Sequence, residues 1–114
     1  MASSRAALRI ALATVCAWGA LWLGAGALAD AKPATHTVVI EGLKFLPETL
    51  AVRRGDTVVW VNKDPYPHTA TAKGVFDSGS MAGGGSWKYT ARAAGEHPYI
   101  CTFHPNMKAI LRVE

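Results

Sequence analysis

The chain has 114 residues, enough for one domain, and half of its residues are hydrophobic. Twelve Lys/Arg against eight Asp/Glu leave a net charge of +4 spread without a basic run, which argues against nucleic acid as a partner. Gly-x-Ser-x-Gly, His-Glu-x-x-His and phosphate-loop motifs are all missing, so the common hydrolase and nucleotide-binding chemistries have no support in the sequence.

Arg5 and Arg9 precede an uncharged stretch, Ile10 to Ala29, rich in Ala, Leu and Trp. Ala27-Leu28-Ala29 and Ala29-Asp30-Ala31 each fit a small-x-small cleavage signal. Residues 1–31 are therefore expected to be a secretory signal peptide, with the folded domain at 32–114 in the periplasm or another extracytoplasmic space. The competing reading is an uncleaved anchor, since a span needs ~20 apolar residues, and only then is membrane contact expected. Gly24 and Gly26, just before the cleavage-like residues, favour removal. Cys16 lies inside the run, without the preceding small residues that a lipid-attachment cysteine would need.

From Lys32 onward the chain carries ten Lys/Arg and seven Asp/Glu, a mild net charge of +3 that favours an acidic protein partner. Only Cys101 remains there, so no internal disulfide can form. A lone thiol in an oxidising compartment is a liability unless something such as a metal occupies it.

His36-Thr37-Val38-Val39-Ile40 is β-branched and ends at Gly42. Phe45-Leu46-Pro47-Glu48 reads as a turn or crossover, because Pro47 cannot donate to a ladder. Thr49–Arg53 alternates, Arg54-Gly55-Asp56 turns the chain, and Thr57–Asn62 is the strongest strand in the sequence. Lys63–Pro67 is a loop stiffened by two prolines. His68–Ala72 is extended again, and the glycine-laden Asp77–Ser86 is a surface loop. Strands follow at Trp87–Ala91, ending at Cys101, and at Ala109–Val113. Short strands separated by turn residues, with no 3.6-residue apolar stripe, predict an all-β fold, an antiparallel β-sandwich or barrel. About 83 residues make a small core, for which a bound metal would act as a staple.

Cys101-Thr102-Phe103-His104-Pro105-Asn106-Met107 places a thiolate, an imidazole and a thioether with two residues between neighbours. Cys101 is expected at a strand end and His104 and Met107 on the loop that follows. Pro105 holds His104 extended. A second imidazole, His68, would arrive from a neighbouring strand end, with Pro67 fixing its approach. Thiolate and thioether suit copper, imidazole suits both of its oxidation states, and Met is a poor zinc ligand. Two His, one Cys and one weak Met suit a site that exchanges electrons between Cu(I) and Cu(II) and leaves no open position for a substrate.

Phe45-Leu46-Pro47-Glu48, Gly55–Asn62, Pro67-His68 and the Cys101–Met107 loop together resemble the cupredoxins, the type 1 blue copper proteins, over about residues 36–114. The short ligand loop is similar to that of the amicyanins; in the plastocyanins the gap between His and Met is longer. The resemblance implies an eight-strand Greek-key sandwich and one mononuclear type 1 copper. It implies the metal ligands His68, Cys101, His104 and Met107, and a monomeric single-electron shuttle rather than an enzyme. Redox donor and acceptor proteins would dock near His104, on an apolar collar of Phe103, Pro105 and Pro67, with lysines steering an acidic partner. Three positions depart from the pattern: Thr69 where an Asn often braces the ligand loop, Phe103 where amicyanin has Pro, and Asn106 in place of an aromatic residue.

His36 and His97 have no donor at ligand spacing and are expected at the surface or a strand edge. Met81 is expected to pack its loop, the alternative being a transient copper site. Trp60, Trp87 and Tyr89 are expected as core and cross-strand aromatics. A copper-binding or delivery protein without a redox circuit is the competing function, and would be marked by several exposed Met/His donors. A plain adhesion module is a third reading, opposed by a lone cysteine set in a ligand loop.

Overall fold

The computed structural model describes residues 32–114, so the expected signal peptide at 1–31 lies outside the described residues. Nine strands follow in order: β1 Thr35–Ile40, β2 Phe45–Leu46, β3 Thr49–Val52, β4 Thr57–Asn62, β5 Thr71–Ala72, β6 Phe76–Asp77, β7 Ser86–Thr90, β8 Gly95–Cys101 and β9 His104–Val113. They form a four-stranded sheet, β2-β1-β4-β7, and a five-stranded sheet, β3-β9-β8-β5-β6. Among the described residues no helix is long and apolar enough to cross a membrane.

The all-β sandwich is as expected, but both sheets are mixed. β1 runs parallel to β4, and β3 runs parallel to β9; the other pairings are antiparallel. Alternation along a strand tells which face is buried, while the direction of the partner is set by crossover connections. Alternation itself is clear in Thr57–Asn62, where every second residue is buried.

The inward faces of the two sheets meet around Trp60, which is fully buried. Its ring packs on Phe76 of the opposite sheet at 5.3 Å and edge-on to Tyr99 at 5.6 Å. Its indole Nε1 donates to Tyr99 Oη at 3.2 Å, which joins the sheets by a bond as well as by packing. Burial pushes the Tyr99 phenol up to about 12, so it stays neutral and available as an acceptor. Trp60 also faces Trp87 across the β4–β7 pair, and Trp87 stacks on Tyr89, so the three aromatics take the expected core and cross-strand places. Truncating a buried aromatic of this kind costs about 3–5 kcal/mol.

At one end of the sandwich the strands deliver three groups to a common region. β4 ends at Asn62, β8 ends at Cys101, and His68 precedes β5. His68 and Met81 exchange both backbone hydrogen bonds as an isolated bridge, which fastens the glycine-rich loop to the segment carrying the histidine.

Candidate metal centre

Cys101 and His104 face each other across a two-residue turn, Thr102-Phe103. His104 and Met107 were expected on a loop and instead begin β9, because Pro105 favours extended backbone at the residue before it. Strand alternation then buries Met107 in the core, while His104 is half-buried. His68 comes from the segment just before β5, the strand next to β8, and is fully buried.

The donor atoms converge. Cys101 Sγ lies 3.6 Å from His68 Nδ1 and 3.8 Å from His104 Nδ1. All three lie within 4.8 Å of one another, the clustering a metal ion needs. The imidazole centroids are 5.1 Å apart with their planes at 63°. Of the four sequence-predicted residues, the structure brings His68, Cys101 and His104 together and places Met107 buried on the same strand as His104.

The surroundings hold two of these groups, His68 and Cys101, in place. His68 Nε2 sits 2.8 Å from Asp64 Oδ2, and a carboxylate accepts, so Nε2 carries a proton and Nδ1 is the ring nitrogen turned toward Cys101 Sγ. Burial pushes the Asp64 carboxyl up. The N–H groups of Leu43 and Gly42 and the His68 ring outweigh this and leave it below the ordinary carboxylate range. The backbone N–H of Thr69 donates to Cys101 Sγ at 3.3 Å. Thr69 Oγ1 accepts from Thr102 N–H at 2.9 Å and lies 3.1 Å from Thr102 Oγ1, so the hydroxyl braces the ligand turn in place of a longer amide.

Two residues of this region carry no ligand signal and were not singled out from the sequence: Asp64 and Asn62. Asn62 is fully buried; its Nδ2 donates to the Tyr66 and Met81 carbonyls at 2.9 and 3.0 Å, and its Oδ1 accepts from Asp64 N–H. It thereby ties β4, the Pro65–Pro67 loop and the glycine-rich loop together. The Asp64/His68 spacing of four in a proline-bounded loop was the one available hint.

Above the donors lies an apolar patch. Leu43, Tyr66 and Phe103 are among the exposed large hydrophobic residues, and a depression lined by Leu43, Phe103, His104, Pro105, Asn106 and Met107 opens beside them. Tyr66 packs against both imidazoles, with ring centroids 5.3 Å from His68 and 6.2 Å from His104. Leu43 and Tyr66 join Phe103 and Pro105 at this surface; Pro67, expected in the same collar, is exposed but does not line the depression.

The remaining candidates take structural places. Met81 is buried, in line with loop packing. His36 bonds Asp56 at 3.0 Å near the start of β1, and His97 bonds the Ala93 carbonyl.

A family model described as a cupredoxin-like domain matches residues 11–113. Amicyanin of Paracoccus versutus is 34% identical over 94 residues, spanning 77% of this chain and 71% of that protein. Amicyanin-alpha of Methylorubrum extorquens is 32% identical over 115 residues, spanning 95% of this chain and 97% of that one. Among solved structures, a Cu-containing nitrite reductase from Thermus scotoductus superposes with a TM-score of 0.67 at 31% identity; the match covers 75% of this chain but only 23% of the reductase. A Cu(I) form of an amicyanin variant superposes with a TM-score of 0.65 at 32% identity, over 77% of this chain and 89% of the other.

Proposed function

The chain belongs to the cupredoxin-like family, and from that premise we propose that it is a small blue copper electron carrier. Its one mononuclear copper would be held by His68, Cys101, His104 and Met107. The observation that carries this reading is the convergence of two imidazole nitrogens and one thiol sulfur within 4.8 Å.

Bound copper supplies the one-electron Cu(II)/Cu(I) couple. The chain supplies a soft, mixed donor set that satisfies both oxidation states. Asp64 accepts from His68 Nε2–H and so keeps Nδ1 turned toward Cys101 Sγ, and Thr69 N–H gives the sulfur a hydrogen-bond donor. Burial of Cys101 and His68 excludes water from these two donors. Side chains held this firmly before metal enters need move little when the charge changes, which keeps electron transfer fast.

Electrons would pass through His104, the half-buried ligand, to redox proteins that dock on Leu43, Tyr66, Phe103 and Pro105. Lys44, Lys63 and Lys108 are exposed and adjoin this region in the chain, so they favour an acidic partner chiefly through the association rate. Residues 1–31 act as a cleaved signal peptide that delivers a monomeric carrier to the periplasm. The burial of Met81 and the engagement of His36 with Asp56 leave few spare donors for a delivery role.

Voltammetry of the copper-loaded protein tests the reading. Expected is a reversible one-electron wave with copper retained over repeated cycles and fast electron self-exchange. Slow self-exchange with ready loss of copper to a chelator would favour delivery instead.

A further inference from the structure

The brace on the ligand turn does not end at Thr69. Thr69 Oγ1 meets three partners: Thr102 N–H at 2.9 Å, Thr102 Oγ1 at 3.1 Å and Thr71 Oγ1 at 3.0 Å. A hydroxyl offers one proton and two lone pairs, so these contacts fill it. Thr71 Oγ1 in turn lies 3.0 Å from Asp77 Oδ1, which also accepts from Gly79 N–H at 2.9 Å. Beside this row, Ala70 N–H donates to Ser78 Oγ at 2.8 Å, and Ser78 N–H donates to the Ala70 carbonyl. A continuous row of polar atoms therefore runs from the turn between Cys101 and His104 to an exposed carboxylate on β6.

We propose that Thr71 is a positioning residue for the copper site, holding the Thr69 hydroxyl against Thr102 and so fixing the turn that carries Cys101 and His104, with Asp77 setting how its one proton is shared. The shorter side chain at residue 69 creates the need. An amide can brace with two polar atoms, whereas a hydroxyl has one, and its aim depends on what surrounds it. Thr71 has a single proton and two acceptors in reach, Thr69 Oγ1 and the Asp77 carboxylate. Asp77 anchors Thr71 from outside and competes for that proton, and a carboxylate is the stronger acceptor. Because β5 pairs Thr71 with Ile100 of β8, the support is built on the strand next to the one that ends at Cys101. Neither residue contacts the donors; both act through Thr69.

The inference rests on the copper reading, so one arm of its test uses metal-free protein. Thr71→Val keeps the side-chain shape and removes the hydroxyl, and Thr71→Ser restores it. In metal-free protein, amide exchange at Thr102 should be about three- to tenfold faster in Thr71→Val and return to wild type in Thr71→Ser. Asp77→Ala removes the competing acceptor and leaves the Thr71 proton to Thr69 alone, so Thr102 exchange should be no faster than in wild type. In copper-loaded protein, Thr71→Val should lower the reduction potential through a longer Thr69 N–H to sulfur bond. The shift should be about two- to tenfold in the one-electron equilibrium, tenfold being 59 mV, again with rescue by serine. Unchanged Thr102 exchange in Thr71→Val would overturn the proposal whatever metal the site holds. Altered exchange with an unchanged potential would overturn its link to copper. A protein that binds no copper but shows the exchange pattern would confine the failure to the copper reading.

Discussion

Asp64 makes three contacts with one carboxylate: His68 Nε2, Gly42 N–H and Leu43 N–H. Leu43 sits at φ 61°, a left-handed conformation that costs an L-residue roughly 1–2 kcal/mol. Its bond to Asp64 offsets part of that cost and sets an exposed leucine beside the depression next to His104. Asp64→Asn should therefore act on the metal and on the docking patch together. Partners of this kind change metal affinity by about 10–100-fold when removed, and the loss of a buried negative charge should raise the reduction potential. Competition with a chelator and a potentiometric titration check the two effects; an unchanged affinity would mean that Asp64 serves the loop alone. The cluster of His68, Cys101 and His104 was legible in the sequence because a thiolate and an imidazole at a tight spacing, with a second imidazole after a proline, are chemically uncommon. It missed Asp64 because a carboxylate between lysine and proline looks like an ordinary solvated loop residue. Burial depends on the fold, and no local pattern records it.

The loops are as specific as the strands. A Cβ at Gly83 would lie 2.7 Å from the Asp64 carbonyl oxygen and 3.1 Å from Pro65 Cα, backbone atoms that cannot simply turn away. Gly83→Ala should push the Pro65–Pro67 loop off the glycine-rich loop, lowering the melting temperature and altering the visible spectrum of the copper form. A spectrum identical to wild type would show that the site is insulated from this contact. At the other end of β1, Asp56 accepts from Ala34 N–H, His36 and Arg53 N–H, and these bonds, led by Ala34, hold its carboxyl well below the ordinary value of 3.8. A depressed carboxylate stabilises the fold above its unfolded value and loses that contribution as pH falls through the folded one. Asp56→Asn should therefore melt lower than wild type at neutral pH, and the gap should narrow below about pH 4. Thermal melts across pH check this, and a gap independent of pH would contradict it. Much of this layout was legible. Thr57–Asn62 matches its predicted limits because β-branched residues alternate with buried positions there. The parallel partnership of β1 and β4 was not legible, since hydrophobic alternation is the same for either direction of pairing.

The molecule combines a small aromatic core with a donor cluster set at one end of it. Trp60, Phe76 and Tyr99 lock the two sheets, so the end of β8 that presents Cys101 is anchored in the core. The exposed patch of Leu43, Tyr66 and Phe103 lies next to the imidazoles, so the proposed docking there would keep the path from partner to His104 short. The electron-carrier function proposed for this arrangement depends on one copper bound through the sulfur of Cys101. Cu(II) titration of the purified protein, followed by visible spectroscopy beside Cys101→Ser, addresses that dependence directly. Expected is an intense thiolate-to-copper band that saturates at one copper per chain, bleaches reversibly on reduction and is lost in Cys101→Ser. A colourless titration, or the same band in Cys101→Ser, would contradict it.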